Sequence, residues 1–247
     1  MSLFYEHSLR LSGMDADGRG ICKASALLNH LQITAALAAE DGGFGRETLV
    51  ERYGAFWMLA RSWFRLERPL RWEDEITIRT WHRGGKSAIM YRDYDIFCNG
   101  EQVGESVSGW VLASVDTHKL MRLGDVTELA GTSGGALCKT MTLAKLHHPA
   151  QLEEVERRTM RYSDTDINGH VNNTRYADFA CDAVEAECMA EGSFLSEMQI
   201  GYLAECRPGQ TLAIQVGGQG EGRYVRGVDE TDNPRFEAAL YFRKELP

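Results

Sequence analysis

The strongest constraint on this chain is that one order of elements occurs in it twice. In the first copy residues 5–12 alternate as a strand, and Asp15-Ala16-Asp17-Gly18 turns the chain. A helix over 24–39 follows, so apolar (Leu27, Leu28, Leu31, Ile33 and a string of alanines) that protein should surround it. Asp41-Gly42-Gly43-Phe44-Gly45 ends it, and strand-like runs come at 61–66, 76–82, 91–97 and 105–115, with an Asn99-Gly100 hairpin signal. After residue 150 the order returns: a strand at 155–161, a polar loop at 164–171, a helix at 172–190, then strands at 196–205, 211–217, 223–229 and 235–243. In the last of these Phe236, Ala238, Leu240 and Phe242 alternate with Glu237, Ala239, Tyr241 and Arg243, which buries one face. The copies align by eye, with Asp15-x-Asp17 on Asp164-x-Asp166 and Asp74-Glu75-Ile76 on Gln210-Thr211-Leu212.

A single unit of this kind leaves a sheet edge and a groove unpaired, and two in one chain can cover each other. The predicted class is therefore α+β, a tandem (double) hotdog, each unit a long central helix wrapped by a curled antiparallel sheet. The expected division is an N-terminal unit at 1–128, a connecting segment at 129–150 and a C-terminal unit at 151–247.

The repeat is not chemically symmetric. Residues 164–176 read Asp-Thr-Asp-Ile-Asn-Gly-His-Val-Asn-Asn-Thr-Arg-Tyr, too polar for a strand core, and an amphipathic run follows. The stretch reads as a loop delivering Asp166, Asn168 and His170 to a helix N-terminus, where backbone N–H groups near Val171 and Asn172 favour a developing oxyanion. At the matching positions the first copy has Arg19 and Ile21. Asp164 suits a turn or cap. The loop imitates the start of a calcium-binding EF-hand, but Arg175 stands where that loop needs its twelfth-position carboxylate, so no metal is expected. Glu205, where the first copy has Pro69, lies near the end of the strand after this helix and could face the loop. Cys206 beside it is a tempting nucleophile, yet neighbouring strand residues point to opposite faces, which favours a packed thiol.

Composition removes several classes. A net charge of −9 argues against nucleic acid as the main partner. No apolar run approaches bilayer length and the first residues lack the basic start of a secretion signal, so no membrane insertion is expected. Six scattered cysteines read as reduced thiols in a cytoplasm. The glycine-rich run at 217–222 lacks the Lys-Ser/Thr of a phosphate loop, and no cofactor is expected.

The loop Asp166-Ile167-Asn168-Gly169-His170-Val171-Asn172-Asn173-x-x-Tyr176 resembles the signature of the acyl-ACP thioesterases, a plastid and bacterial family of tandem hotdog enzymes. Leu28-Asn29-His30-Leu31-Gln32-x-Thr34-Ala35, Gly43-Phe44-Gly45 and Tyr202-x-x-Glu205-Cys206 are similar to family stretches too, in the family's order. The resemblance implies hydrolysis of fatty acyl-acyl carrier protein, with Asp166, Asn168, His170 and Glu205 as the catalytic set. Asn172, Asn173 and Tyr176 are candidate substrate contacts. Two departures matter: no transit peptide precedes Phe4, which suggests a bacterial cytosolic member, and Leu203-Ala204 replaces basic residues of plant members. Arg61 and Arg65, which share a strand face, are the candidate contacts for an acidic carrier, and a homodimer is left open. An acyl-CoA thioesterase, a hotdog dehydratase and a non-catalytic acyl-binding protein are the rival readings.

Overall fold

The computed structural model describes residues 3–86, 88–122 and 134–245. The first five residues of the expected connecting segment, 129–133, with their Gly-Thr-Ser run, lie outside them. The N-terminal half runs β1 (Tyr5–Arg10), α1 (Ala24–Asp41), α2 (Arg46–Tyr53), β2 (Ala55–Leu66), β3 (Glu75–Lys86), β4 (Ile89–Cys98) and β5 (Glu101–Ser114). The C-terminal half runs β6 (Glu153–Thr159), α3 (Arg175–Ala183), β7 (Ser193–Tyr202), β8 (Thr211–Gln219), β9 (Gly222–Val228) and β10 (Pro234–Lys244).

These strands form one antiparallel sheet in the order β1-β3-β4-β5-β2-β7-β10-β9-β8-β6. From the centre outward both halves repeat one sequence of strands, and they meet where β2 pairs with β7 (Arg61↔Gly201, Trp63↔Gln199, Arg65↔Glu197). The strand after each helix would otherwise be an open edge. This is the double hotdog that the repeat predicts.

The repeat extends to single hydrogen bonds in the turns before the helices. Asp15 accepts the Ser12 N–H at 2.7 Å as Asp164 accepts that of Arg161 at 2.8 Å. The Asp17 N–H donates to the Ile21 carbonyl at 2.8 Å, and the Asp166 N–H to that of His170 at 3.0 Å. One loop scaffold thus carries two sets of side chains.

Both helices pack on the inner sheet face in one core that includes Leu27, Leu31, Phe64, Tyr94, Phe179, Met198 and Phe236. The sequence pattern differs from the structure at the helix ends. Ile33 of α1 is exposed, so protein covers that helix on one side only. α3 is shorter than 172–190: the Asn172 side chain accepts from the Thr174 N–H at 2.9 Å, an Asx turn ahead of the helix, and Glu185 at φ 53 breaks it. α2 has no counterpart in the sequence reading; it lies between Gly45 and the left-handed Gly54 at φ 56.

Residues 134–150 cross the outer face of the sheet as a strap. Lys139 sits between Asp95 and Glu105 at 2.9 Å from each, and Arg83 donates to the Met141 carbonyl. Leu143 is buried against Trp63 and Val107, and Gln199 of β7 donates to the Ala144 carbonyl at 2.7 Å. Further on, His148 lies 3.3 Å from Glu237 of β10.

Phe64 is buried beside the junction, opposite Met198. Phe64→Ala should cost about 3–5 kcal/mol by leaving a cavity, and lower the melting temperature by roughly 10 °C. Calorimetry should show one transition moving as a whole. A split into two, with the C-terminal half unmoved, would disprove a shared core.

Candidate active site

The polar loop lies between β6 and α3, folded back on itself. The Asp166 carboxylate accepts the Asn168 N–H at 2.8 Å, the Gly169 N–H donates to the Asp166 carbonyl at 3.0 Å, and Gly169 has φ 75, a left-handed value suited to glycine. Asp164 is buried and structural, as a cap would be: it holds the Arg161 N–H and the Arg175 guanidinium.

Glu205 lies three residues beyond the end of β7, so strand alternation does not place it. The Leu203 and Ala204 N–H groups both donate to the Arg235 carbonyl, turning the chain, and the Val171 N–H donates to the Cys206 carbonyl at 2.8 Å. That last bond draws the turn against the polar loop. Glu205 Oε2 meets His170 Nε2 at 3.0 Å, with the imidazole mostly covered and the carboxylate about half exposed. Cys206 faces the other way, fully buried in the core, and burial pushes its thiol up.

Asp166, Asn168, His170 and Glu205 all line one cavity of about 1290 Å³, together with Asn173 and Tyr176. Its far walls come from the N-terminal half, among them Ala35 and Ala36 of α1, Phe44, Trp57 and Met90. The catalytic candidates belong to one half and most of the apolar wall to the other.

Two expectations change, and the Arg61–Arg65 pair can be located. The Val171 and Asn172 N–H groups are taken by the Cys206 and Asp164 carbonyls, each at 2.8 Å, so they are not free for an oxyanion. Asn172 caps the Thr174 backbone and does not line the cavity. Arg61 and Arg65, the expected carrier contacts, lie on the outer sheet face away from the cavity; Arg61 is half-buried, donating to the Leu143 carbonyl of the strap, while exposed Arg65 pairs with Glu105 at 2.6 Å. They share a sheet face as alternation requires, but the strap reaches over that face at Arg61.

Sequence reasoning missed Arg46, whose Nη1 donates to Asn168 Oδ1 at 3.2 Å across the two halves. It named Tyr202 only as part of a family-like stretch and gave it no role, yet Tyr202 is a cavity residue, and burial pushes the pKa of its hydroxyl upward. Among the described residues no group of three or more His, Cys, Asp or Glu is placed to hold a metal ion, and no helix is long and apolar enough to cross a membrane.

The acyl-ACP thioesterase N-terminal domain model matches residues 2–128, and the acyl-ACP thioesterase C-terminal domain model matches residues 147–235. The chain belongs to the acyl-ACP thioesterase family. Among family relatives, a chloroplastic acyl-[acyl-carrier-protein] hydrolase of Cuphea viscosissima is 27% identical over 79% of this chain and 52% of its own length. The chloroplastic dodecanoyl-[acyl-carrier-protein] hydrolase of Cinnamomum camphora is 26% identical over 81% of this chain and 56% of its own. The chain thus spans about half the length of these plant relatives. The crystal structure of an acyl-ACP thioesterase from Bacteroides thetaiotaomicron shares the fold, with a TM-score of 0.80, 22% identity and 98% of each chain covered. The 12:0-ACP thioesterase from Umbellularia californica shares it at a TM-score of 0.76, with 19% identity and 99% of each chain covered.

Burial also makes the cysteines unequal. Cys188 is exposed, while burial pushes the Cys22 and Cys181 thiols up to about 12 and leaves Cys206 without solvent contact. Brief iodoacetamide treatment of the native protein near pH 8 should modify Cys188 well before these three, read by peptide mass spectrometry. Early labelling of Cys206 would contradict its packed position.

Proposed function

We propose that this chain hydrolyses the thioester of fatty acyl-acyl carrier protein, releasing free fatty acid and holo-carrier. The observation that carries this reading is the His170–Glu205 contact of 3.0 Å beside a large, mostly apolar-walled cavity. A thioester hydrolase needs an activated water, donors for the tetrahedral oxyanion and room for an acyl chain. In this reading Glu205 takes a proton from water as the water oxygen bonds to the thioester carbon. His170 orients the carboxylate, Asp166 holds the loop, and Asn168 sits where it can meet the substrate carbonyl. Collapse of the intermediate breaks the C–S bond, and the proton goes to the departing pantetheine thiolate. Cys206 takes no part, because its thiol is buried in the core on the far side of the turn.

Family membership supports the carrier-linked substrate, and a role in fatty acid synthesis in the cytoplasm goes with that reading. The division of labour follows the repeat: 1–128 supplies the acyl wall and 151–247 the chemistry, joined by the segment between them.

The test is hydrolysis of the same acyl group on carrier protein and on CoA, across a panel of chain lengths. A clear preference for carrier, with free acid as product, is expected. A preference for CoA would make this an acyl-CoA hydrolase, and an enoyl product would make it a dehydratase. Glu205→Ala should lower kcat at least about 100-fold at unchanged melting temperature, the scale of a positioned acid–base group. His170→Ala and Asn168→Ala should each cost activity without adding in the double variant. Cys206→Ser should keep a substantial fraction of turnover; a folded but dead variant, or an acyl group trapped on Cys206, would establish a covalent route instead.

A further inference from the structure

Arg46 is the first residue of α2, and local structure fixes where it stands. Gly43 has φ 79, and a Cβ on Gly45 would come within 2.7 Å of Glu40 Cγ and 3.3 Å of Glu40 Cα. Glycine at 45 therefore lets α2 begin hard against the end of α1. The start of α2 then faces the polar loop of the other half, and Arg46 Nη1 reaches Asn168 Oδ1 at 3.2 Å.

Helix stability does not account for this arginine. A cation on the first helical residue is opposed by the helix dipole, which favours acidic groups there. Among the described residues Arg46 makes no ion pair that would offset the cost. Among the described residues its hydrogen-bond partner is Asn168.

The chemistry of that contact is one-directional. A guanidinium carries donors only and stays charged throughout the working pH range. The asparagine atom facing Arg46 is therefore the carbonyl oxygen, which leaves the amide NH2 to point elsewhere. The Asn168 backbone is pinned separately, through its N–H to Asp166 Oδ1 at 2.8 Å. Held at both ends, Asn168 presents a donor at the cavity wall. A donor is what the site needs, because the Val171 and Asn172 N–H groups are already committed to carbonyls of the fold.

We propose that Arg46 is a positioning residue: it locks the Asn168 amide so that Nδ2 donates to the thioester carbonyl and to the oxyanion formed from it. This rests on the thioester-hydrolase reading, and it makes Asn168 a donor to substrate, not an acceptor for the attacking water. The N-terminal half thus contributes to the chemical step as well as to the acyl wall.

A double-mutant cycle tests it, with palmitoyl-acyl carrier protein and palmitoyl-CoA as probes. Arg46→Met, which cannot donate, should lower kcat about tenfold on whichever probe the wild type hydrolyses, with KM within about twofold, since the lost donor orientation matters most in the transition state. Arg46→Lys should recover part of the loss. In an Asn168→Ala background, Arg46→Met should change kcat by less than about twofold, because the two residues act as one unit. The melting temperature of Arg46→Met should equal or exceed that of wild type, as the dipole argument requires. An undiminished kcat, a full loss that persists in the Asn168→Ala background, or a rise in KM confined to the carrier substrate would each overturn the assignment; the last would make Arg46 a docking residue. A wild type inactive on carrier and CoA thioesters across the whole chain-length panel would sink the hydrolase reading itself. The Asn168 side-chain amide NMR signal, assigned by its loss in Asn168→Ala, then decides the contact without turnover: it should shift in Arg46→Met, and an unmoved signal rejects the lock.

Discussion

Edge-to-edge pairing of β2 with β7 is the contact on which the remaining architecture depends. Each half curls its sheet round a helix and ends with the post-helix strand unpaired on one side, a row of backbone donors and acceptors that must find partners. Because the two edges are equivalent by repeat, they satisfy each other in antiparallel register around Trp63 and Gln199. That join merges two small cores into one, brings α1 beside α3, and closes a single cavity whose walls come from both halves.

Within that symmetric frame, chemistry is placed by substitution of letters on an unchanged backbone. The turn before α1 and the turn before α3 share their hydrogen bonds, yet one carries Arg19 and Ile21 where the other carries Asn168 and His170. In the first half Arg19 ties its own turn to Asp17 and to the Ser193 carbonyl at the start of β7, a structural task. In the second half the same positions face the cavity. The first turn thus uses these positions for a tie to β7, and the second uses them for side chains that line the cavity.

Much of this was legible in residue order. The repeat predicted ten strands in two matched sets of five, but the one-sided alternation read in 235–243 held only in part. Phe236, Ala238 and Leu240 are buried, yet Glu237 and Ala239 on the other face are buried too, where His148 lies against Glu237, and Phe242 is only half-buried. Asp166, Asn168 and His170 stood out because so many polar side chains cannot enter a core together. Glu205 was identified for a reason only half right: it lies past the strand, in a turn drawn to the loop by one backbone bond from Val171 to Cys206. Local pattern could not show α2, a short helix whose apolar stripe is weak and whose limits are set by Gly45 and Gly54. Nor could it show the Arg46–Asn168 contact, because residues 122 apart in sequence meet only through tertiary packing. The oxyanion donors expected at Val171 and Asn172 failed for the complementary reason. Sequence displays which groups exist, while their prior commitment to the fold is visible only once every backbone donor has been traced.

The strap over the outer face has a consequence in mass action. Two separate copies of a unit with this edge would pair at a concentration set by their dissociation constant, and dilution would separate them. Here the second unit is tethered to the first by a segment that is itself bonded to both, through Lys139 on the β4–β5 side and Ala144 at β7. The local concentration of one edge around the other is then a property of the chain. The shared cavity forms at any protein concentration, and the two turns are free to diverge without risk of pairing like with like.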